Sequence, residues 1–197
     1  MIIKDWKKDL FTIPNALSLF RLILIPVYIV LYLNAKETAD YFVAAAVLAV
    51  SCLTDLIDGK IARMFNMIST VGKFLDPLAD KLTQFSLIVC LAVKYPVIRL
   101  LVLLFVVKES FQLIAGIITF RRGEMLTGAL MSGKISTTVL FVSLILLVMM
   151  PNMGTTAVTI ITVVDSIFLL ISFFSYARTY YKHSPMIQSL EDPDETK

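Results

Sequence analysis

The sequence predicts an all-α integral membrane protein: six transmembrane helices preceded by a short amphipathic helix lying on the membrane surface. Two observations carry that reading. Of 197 residues, 58% are hydrophobic and 17% charged, against roughly 45–50% and ~25% in an ordinary soluble domain. The apolar residues also fall into six runs, most of them close to the ~20 residues that a helix needs to cross a bilayer.

The elements follow in order. Ile2–Leu10 carries Ile2, Ile3, Trp6 and Leu10 among lysines and aspartates, which suits either a helix on the interface or a frayed polar lead-in. The charged start and the lack of a small-residue cleavage site imply that the first span is retained. That span is "NALSLFRLILIPVYIVLYL", residues 15–33, interrupted by Arg21 and Pro26. The second, "DYFVAAAVLAVSCLTDLIDGKIARMF", opens apolar and closes polar. The third runs over residues 72–93, the fourth over 96–120, the fifth over 135–150 and the sixth over 155–176. Residues 1–182 form one membrane domain, and the acidic, proline-broken tail 183–197 is expected to be disordered.

Basic residues orient the spans. Lys4, Lys7 and Lys8 precede the first; Lys60, Arg63 and Lys73 separate the second from the third; Arg121, Arg122 and Lys134 separate the fourth from the fifth; Arg178 and Lys182 follow the sixth. The alternate connections hold Lys36, then Lys94 and Arg99, then none. By the positive-inside rule both termini are cytoplasmic. Cys52 and Cys90 lie in apolar runs without CxxC spacing and read as small core residues.

Four aspartates stand out, because idle carboxylates are expensive in hydrocarbon. Asp55 lies ~22 Å along a helix from Asp40 at ~1.5 Å per residue, close to the inner edge of a ~30 Å apolar core. Asp55 and Asp58 are three apart, and Asp76 and Asp80 four apart, so each pair shares one helix face. Like charges held together at low dielectric call for a counter-charge. Oxygen-only ligands favour Mg²⁺ or Mn²⁺, and two such ions bridging phosphate oxygens are a recurrent arrangement for displacement at phosphorus. The competing reading is a solvated loop in which the acids pair with Lys60, Arg63, Lys73 and Lys81. Gly59 and Gly72 remove side chains where a phosphate or nucleotide needs close backbone approach, and Ala62 keeps the face of Asp58 open.

The stretch reads Asp55-x2-Asp58-Gly59-x2-Ala62-Arg63-x8-Gly72-x3-Asp76-x3-Asp80. It resembles the signature of the CDP-alcohol phosphotransferases at every fixed position. The resemblance implies transfer of a phosphatidyl or related group from a CDP-linked donor to an alcohol, with release of CMP. It implies that Asp55, Asp58, Asp76 and Asp80 hold two divalent cations, that Asp80 also acts as general base, and that Gly59, Ala62, Arg63 and Gly72 receive the donor nucleotide. It also implies a homodimer, with the site on the cytoplasmic side of the cell membrane; no nucleic-acid partner is expected.

"IPNALSLFRLILIPVYI", "LDPLADKLTQ" and "GKISTT" are similar to bacterial phosphatidylglycerophosphate synthases, which join CDP-diacylglycerol to glycerol 3-phosphate. Lys134, Arg121, Arg122 and Arg21 are the candidates for the acceptor phosphate. One departure is "KESFQLIAG", where Gly116 falls at the position of an expected arginine. The alternative acceptor is phosphatidylglycerol, as in the CMP-forming cardiolipin synthases. An ion-coupled transporter is a third reading, opposed by acids clustered at one interface and by the lack of a visible repeat.

Four other features are read structurally. Glu109, inside the fourth span, needs a partner, for which Arg21 is a candidate. Asp165 is expected to make a helix–helix contact, and His183 to be solvated. "GKISTT" is no P-loop, because Ile135 follows its lysine. The aspartates also lack the alternate spacing of an EF-hand loop.

Overall fold

The computed structural model describes residues 13–64, 72–121 and 130–182. Among them every regular element is helical: α1 (Ile13–Asn34), α2 (Thr38–Met64), α3 (Gly72–Lys94), a 3₁₀ turn (Pro96–Ile98), α4 (Arg99–Arg121), α5 (Met131–Met149) and α6 (Thr155–Lys182). The expected interfacial helix at Ile2–Leu10 and the tail 183–197 lie outside the described residues.

Helices are the form that chains so apolar must take in lipid, because each backbone N–H and C=O is then satisfied within its own segment. Four of the six, α1, α4, α5 and α6, are long and apolar enough to cross a membrane. In α2 the apolar part is Thr38–Thr54, and the rest of that helix carries motif residues. Large apolar side chains cover the outside: Val93, Leu113 and Phe174 are each more than 60% exposed. A surface of that kind is stable facing acyl chains rather than water.

Sequence boundaries hold to within a few residues except at two ends. Helix α5 starts at Met131, four residues before the expected Ile135, and α6 runs to Lys182, past the expected Tyr176. Hydropathy marks the part of a helix that meets lipid, whereas backbone hydrogen bonding carries the helix further into polar sequence. At α5 both Gly133 N–H and Lys134 N–H bond to Leu130 O, at 3.0 and 3.2 Å. Pro26 and Pro77 both lie inside helices, α1 and α3 respectively.

The chain forms two compact units. One contains α1, α2, α3 and the end of α5 from Leu144; the other contains α4, the first part of α5 and α6. In the first unit α1 packs against both α2 and α3. The buried set there includes Tyr28, Ala44, Leu48, Ala79, Leu87, Ile88 and Leu91. Opposite the motif end, Tyr32 stands between Tyr28 and Tyr41, with ring centroids 5.7 and 5.2 Å away, and Lys94 Nζ sits 3.7 Å from the Tyr41 ring centre. The start of α2 is closed by Asp40, whose Oδ2 accepts from the N–H groups of Lys36 and Glu37 at 2.8 and 3.0 Å. An acid three residues into a helix reaching back in this way satisfies donors that the helix start leaves over.

In the second unit α4 packs against α6. Phe111 meets Phe173 and Tyr180 edge-on, at 5.1 and 5.9 Å. Asp165, fully buried, accepts a hydrogen bond from Ser143 at 3.0 Å and so ties α6 to α5, as expected for a helix–helix contact. Neither cysteine forms a disulfide; Cys90 is buried and Cys52 half-buried.

Ala44 is fully buried, and small residues at buried positions let membrane helices approach closely. Ala44→Leu is expected to lower the thermal unfolding midpoint in detergent, at a cost of about 1–3 kcal/mol from overpacking. A thermal-shift measurement on the purified protein checks this.

Candidate active site

The acidic motif is divided between two helices. Asp55, Asp58, Gly59, Ala62 and Arg63 form the last part of α2, which is helical through Met64. Their side chains lie outside the described part of the structure, as does Arg121 beyond its place at the end of α4. Arg122 is outside the described residues altogether. Gly72 is the first residue of α3 and is buried.

Asp76 and Asp80 lie one turn apart on α3, so both carboxylates stand on one face. Helix α1 supplies partners to each. Ser18, fully buried, donates to Asp76 Oδ1. Arg21 donates to Asp80 Oδ1 at 2.7 Å. The Arg21 side chain is 2% exposed and that of Asp80 is 50% exposed. Ser18 and Arg21 are three residues apart and Asp76 and Asp80 four, so a single helix face meets a single helix face.

The pairing explains how an arginine is accommodated in a helix otherwise rich in Leu, Ile and Val. Its guanidinium is withdrawn from both lipid and water and is bonded to an ion of opposite sign. Asp80 keeps its other side toward solvent, where a ligand can reach it. Arg21 was a candidate for the acceptor phosphate from sequence; the contact found here is with the motif itself. In the second unit Lys108 is buried and donates to Glu109 Oε1 at 2.8 Å. Lys134 is exposed on the first turn of α5. A Cβ at Gly116 would meet no heavy atom within 4 Å, so packing does not require a glycine there.

The donor set fits a hard divalent cation. All four acids offer only oxygen, two of them stand on one face of α3, and Asp80 is open to solvent. Among the described residues no group of three or more His, Cys, Asp or Glu gathers; the full set of four includes Asp55 and Asp58, whose side chains are not described. The contribution of Ser18 and Arg21 could not be read from the motif. The only sequence signal for Arg21 was its presence within an apolar span.

Arg21→Gln leaves Asp80 without its cation. We expect it to destabilise the fold by about 1–3 kcal/mol, below the ~3–5 kcal/mol typical of a wholly buried pair, because Asp80 is half exposed. Thermal unfolding of the variant beside Arg21→Lys, which restores charge but not the guanidinium geometry, measures it.

Comparison with known proteins agrees with the motif. A CDP-diacylglycerol--glycerol-3-phosphate 3-phosphatidyltransferase of Escherichia coli is 44% identical over 71 residues, covering 36% of this chain and 38% of that protein. A cardiolipin synthase (CMP-forming) / mitochondrial hydrolase fusion protein of Schizosaccharomyces pombe is 41% identical over 90 residues, covering 45% of this chain and 14% of that protein. The chain thus spans well under half the length of these curated relatives. The family model described as CDP-alcohol phosphatidyltransferase matches residues 11–176, nearly the whole of the six-helix region, and the chain belongs to that family.

Proposed function

We propose that this protein transfers the phosphatidyl group of CDP-diacylglycerol to glycerol 3-phosphate, giving phosphatidylglycerophosphate and CMP. The observation that carries this reading is the unbroken set of Asp55, Asp58, Gly59, Ala62, Arg63, Gly72, Asp76 and Asp80 in a chain of this family. The four aspartates would hold two Mg²⁺ or Mn²⁺ ions, which would supply positive charge against that developing on the leaving CMP. Gly59, Ala62, Arg63 and Gly72 receive the donor nucleotide. Asp80 takes the proton of the attacking hydroxyl, with Arg21 fixing the direction of its carboxylate. Lys134, Arg121 and Arg122 serve the acceptor phosphate, with Arg21 as a further candidate.

An interfacial site suits the substrates: a diacyl donor keeps its chains in lipid while its head group meets the cytosol. Six spans with both termini cytoplasmic, in the cell membrane and as a homodimer, belong to the same proposal. It is supported by the alternation of basic connections and by the apolar exterior. A second reading, CMP-forming cardiolipin synthesis with phosphatidylglycerol as acceptor, is favoured by one feature, the Gly116 that stands where an acceptor-binding arginine was expected.

Purified protein supplied with CDP-diacylglycerol and Mg²⁺ or Mn²⁺ is expected to release CMP with glycerol 3-phosphate. Chelation should stop the release, and Asp80→Asn should lower it by about 10²–10⁴-fold. Release with phosphatidylglycerol alone would replace the first reading by the second. No metal-dependent release with either acceptor would overturn both.

A further inference from the structure

Helix α5 is held at the residue just before its first turn by a tyrosine from α6. Leu130 N–H donates to Tyr176 Oη at 3.1 Å, while Leu130 O accepts from Gly133 and Lys134. Leu130 therefore starts the helix, and its own N–H, which no intrahelical carbonyl can reach, is taken by the tyrosine hydroxyl. The same ring covers Gly133. A Cβ at that glycine would come within 2.7 Å of Tyr176 Oη and 2.8 Å of Cε2, so the hydroxyl and ring edge fill the space that any side chain would need.

Tyr176 is itself fixed. It stacks on Tyr180 at 6.3 Å and 27°, and Tyr180 meets Phe111 of α4 at 5.9 Å. Rings from α4 and α6 thus reach the start of α5 through one hydroxyl. The residue immediately after the covered glycine is Lys134, exposed on the same turn.

We propose that Tyr176 is a positioning residue for the acceptor phosphate, setting through Leu130 and Gly133 the place from which Lys134 reaches that anion. The inference rests on the acceptor role assigned to Lys134 above. A lysine side chain has several rotatable bonds to order when it binds a phosphate. With its Cα and helix start already fixed, only the side chain remains to be ordered, and the first turn of a helix also favours an anion. Gly133 is part of the device, since only a residue without Cβ admits the ring.

The test compares steady-state constants of the full-length protein, using whichever of glycerol 3-phosphate or phosphatidylglycerol supports CMP release. Tyr176→Phe keeps the ring and removes the hydroxyl. It is expected to raise the acceptor KM about three- to tenfold, of the order of one hydrogen bond, with kcat and the CDP-diacylglycerol KM unchanged. Gly133→Ala should raise the acceptor KM as well, and should have no further effect when Tyr176→Ala has already removed the ring.

Lys134→Ala separates the two layers of the argument. If it raises the acceptor KM while Tyr176→Phe does not, the positioning role is overturned and the acceptor role stands. If Lys134→Ala leaves that KM unchanged, the acceptor role fails and the positioning role with it. Tyr176→Phe that lowers the thermal midpoint and weakens donor and acceptor together would make the tyrosine a purely structural contact and overturn the proposal. Absence of CMP release with either acceptor would overturn it together with the proposed function.

Discussion

The pairing of α1 with the acidic face of α3 is the interaction on which the first unit depends. Two carboxylates one turn apart on a helix packed among apolar neighbours need hydrogen-bond donors or a cation. Ser18 and Arg21 provide one of each. Their spacing makes the two contacts a single register: a shift of α1 by one residue would break both. The arginine is buried and the aspartate half exposed, so the pair is desolvated mainly on the side where its bonding is fixed. The other side of the Asp80 carboxylate is open.

That arrangement assigns α1 a role beyond spanning the membrane. It contacts both helices that carry the motif, and it holds directly the acids of the second. One buried cation and one buried hydroxyl on α1 hold the acids of α3 at small cost in apolar surface.

The second unit is tied in the same way, by a few polar contacts. Asp165 and Ser143 join α6 to α5 deep among apolar residues, and Tyr176 joins them again at the start of α5. Between helices that are otherwise apolar, such contacts supply direction that dispersion forces alone do not, since lipid tails compete equally for apolar faces. The aromatic series from Phe111 through Tyr180 to Tyr176 extends this fixing to α4.

Among the described residues the amino-acid sequence by itself determined the order and approximate bounds of the helices, because a long apolar run in lipid satisfies its backbone groups best as a helix. It also determined the family, because spacing within the motif is a local property of the chain. It misplaced the start of α5 and the end of α6, where helix continues into polar sequence that hydropathy does not follow. Only the tertiary structure decided which groups meet the acids. Arg21 and Asp80 are 59 residues apart in the chain, and nothing in local pattern distinguishes Asp80 from Glu109 as the partner of that arginine. Tyr176 and Gly133 illustrate the same limit. A glycine near a helix start reads as a flexible residue, and only the ring lying against it shows that the absent side chain is a packing requirement.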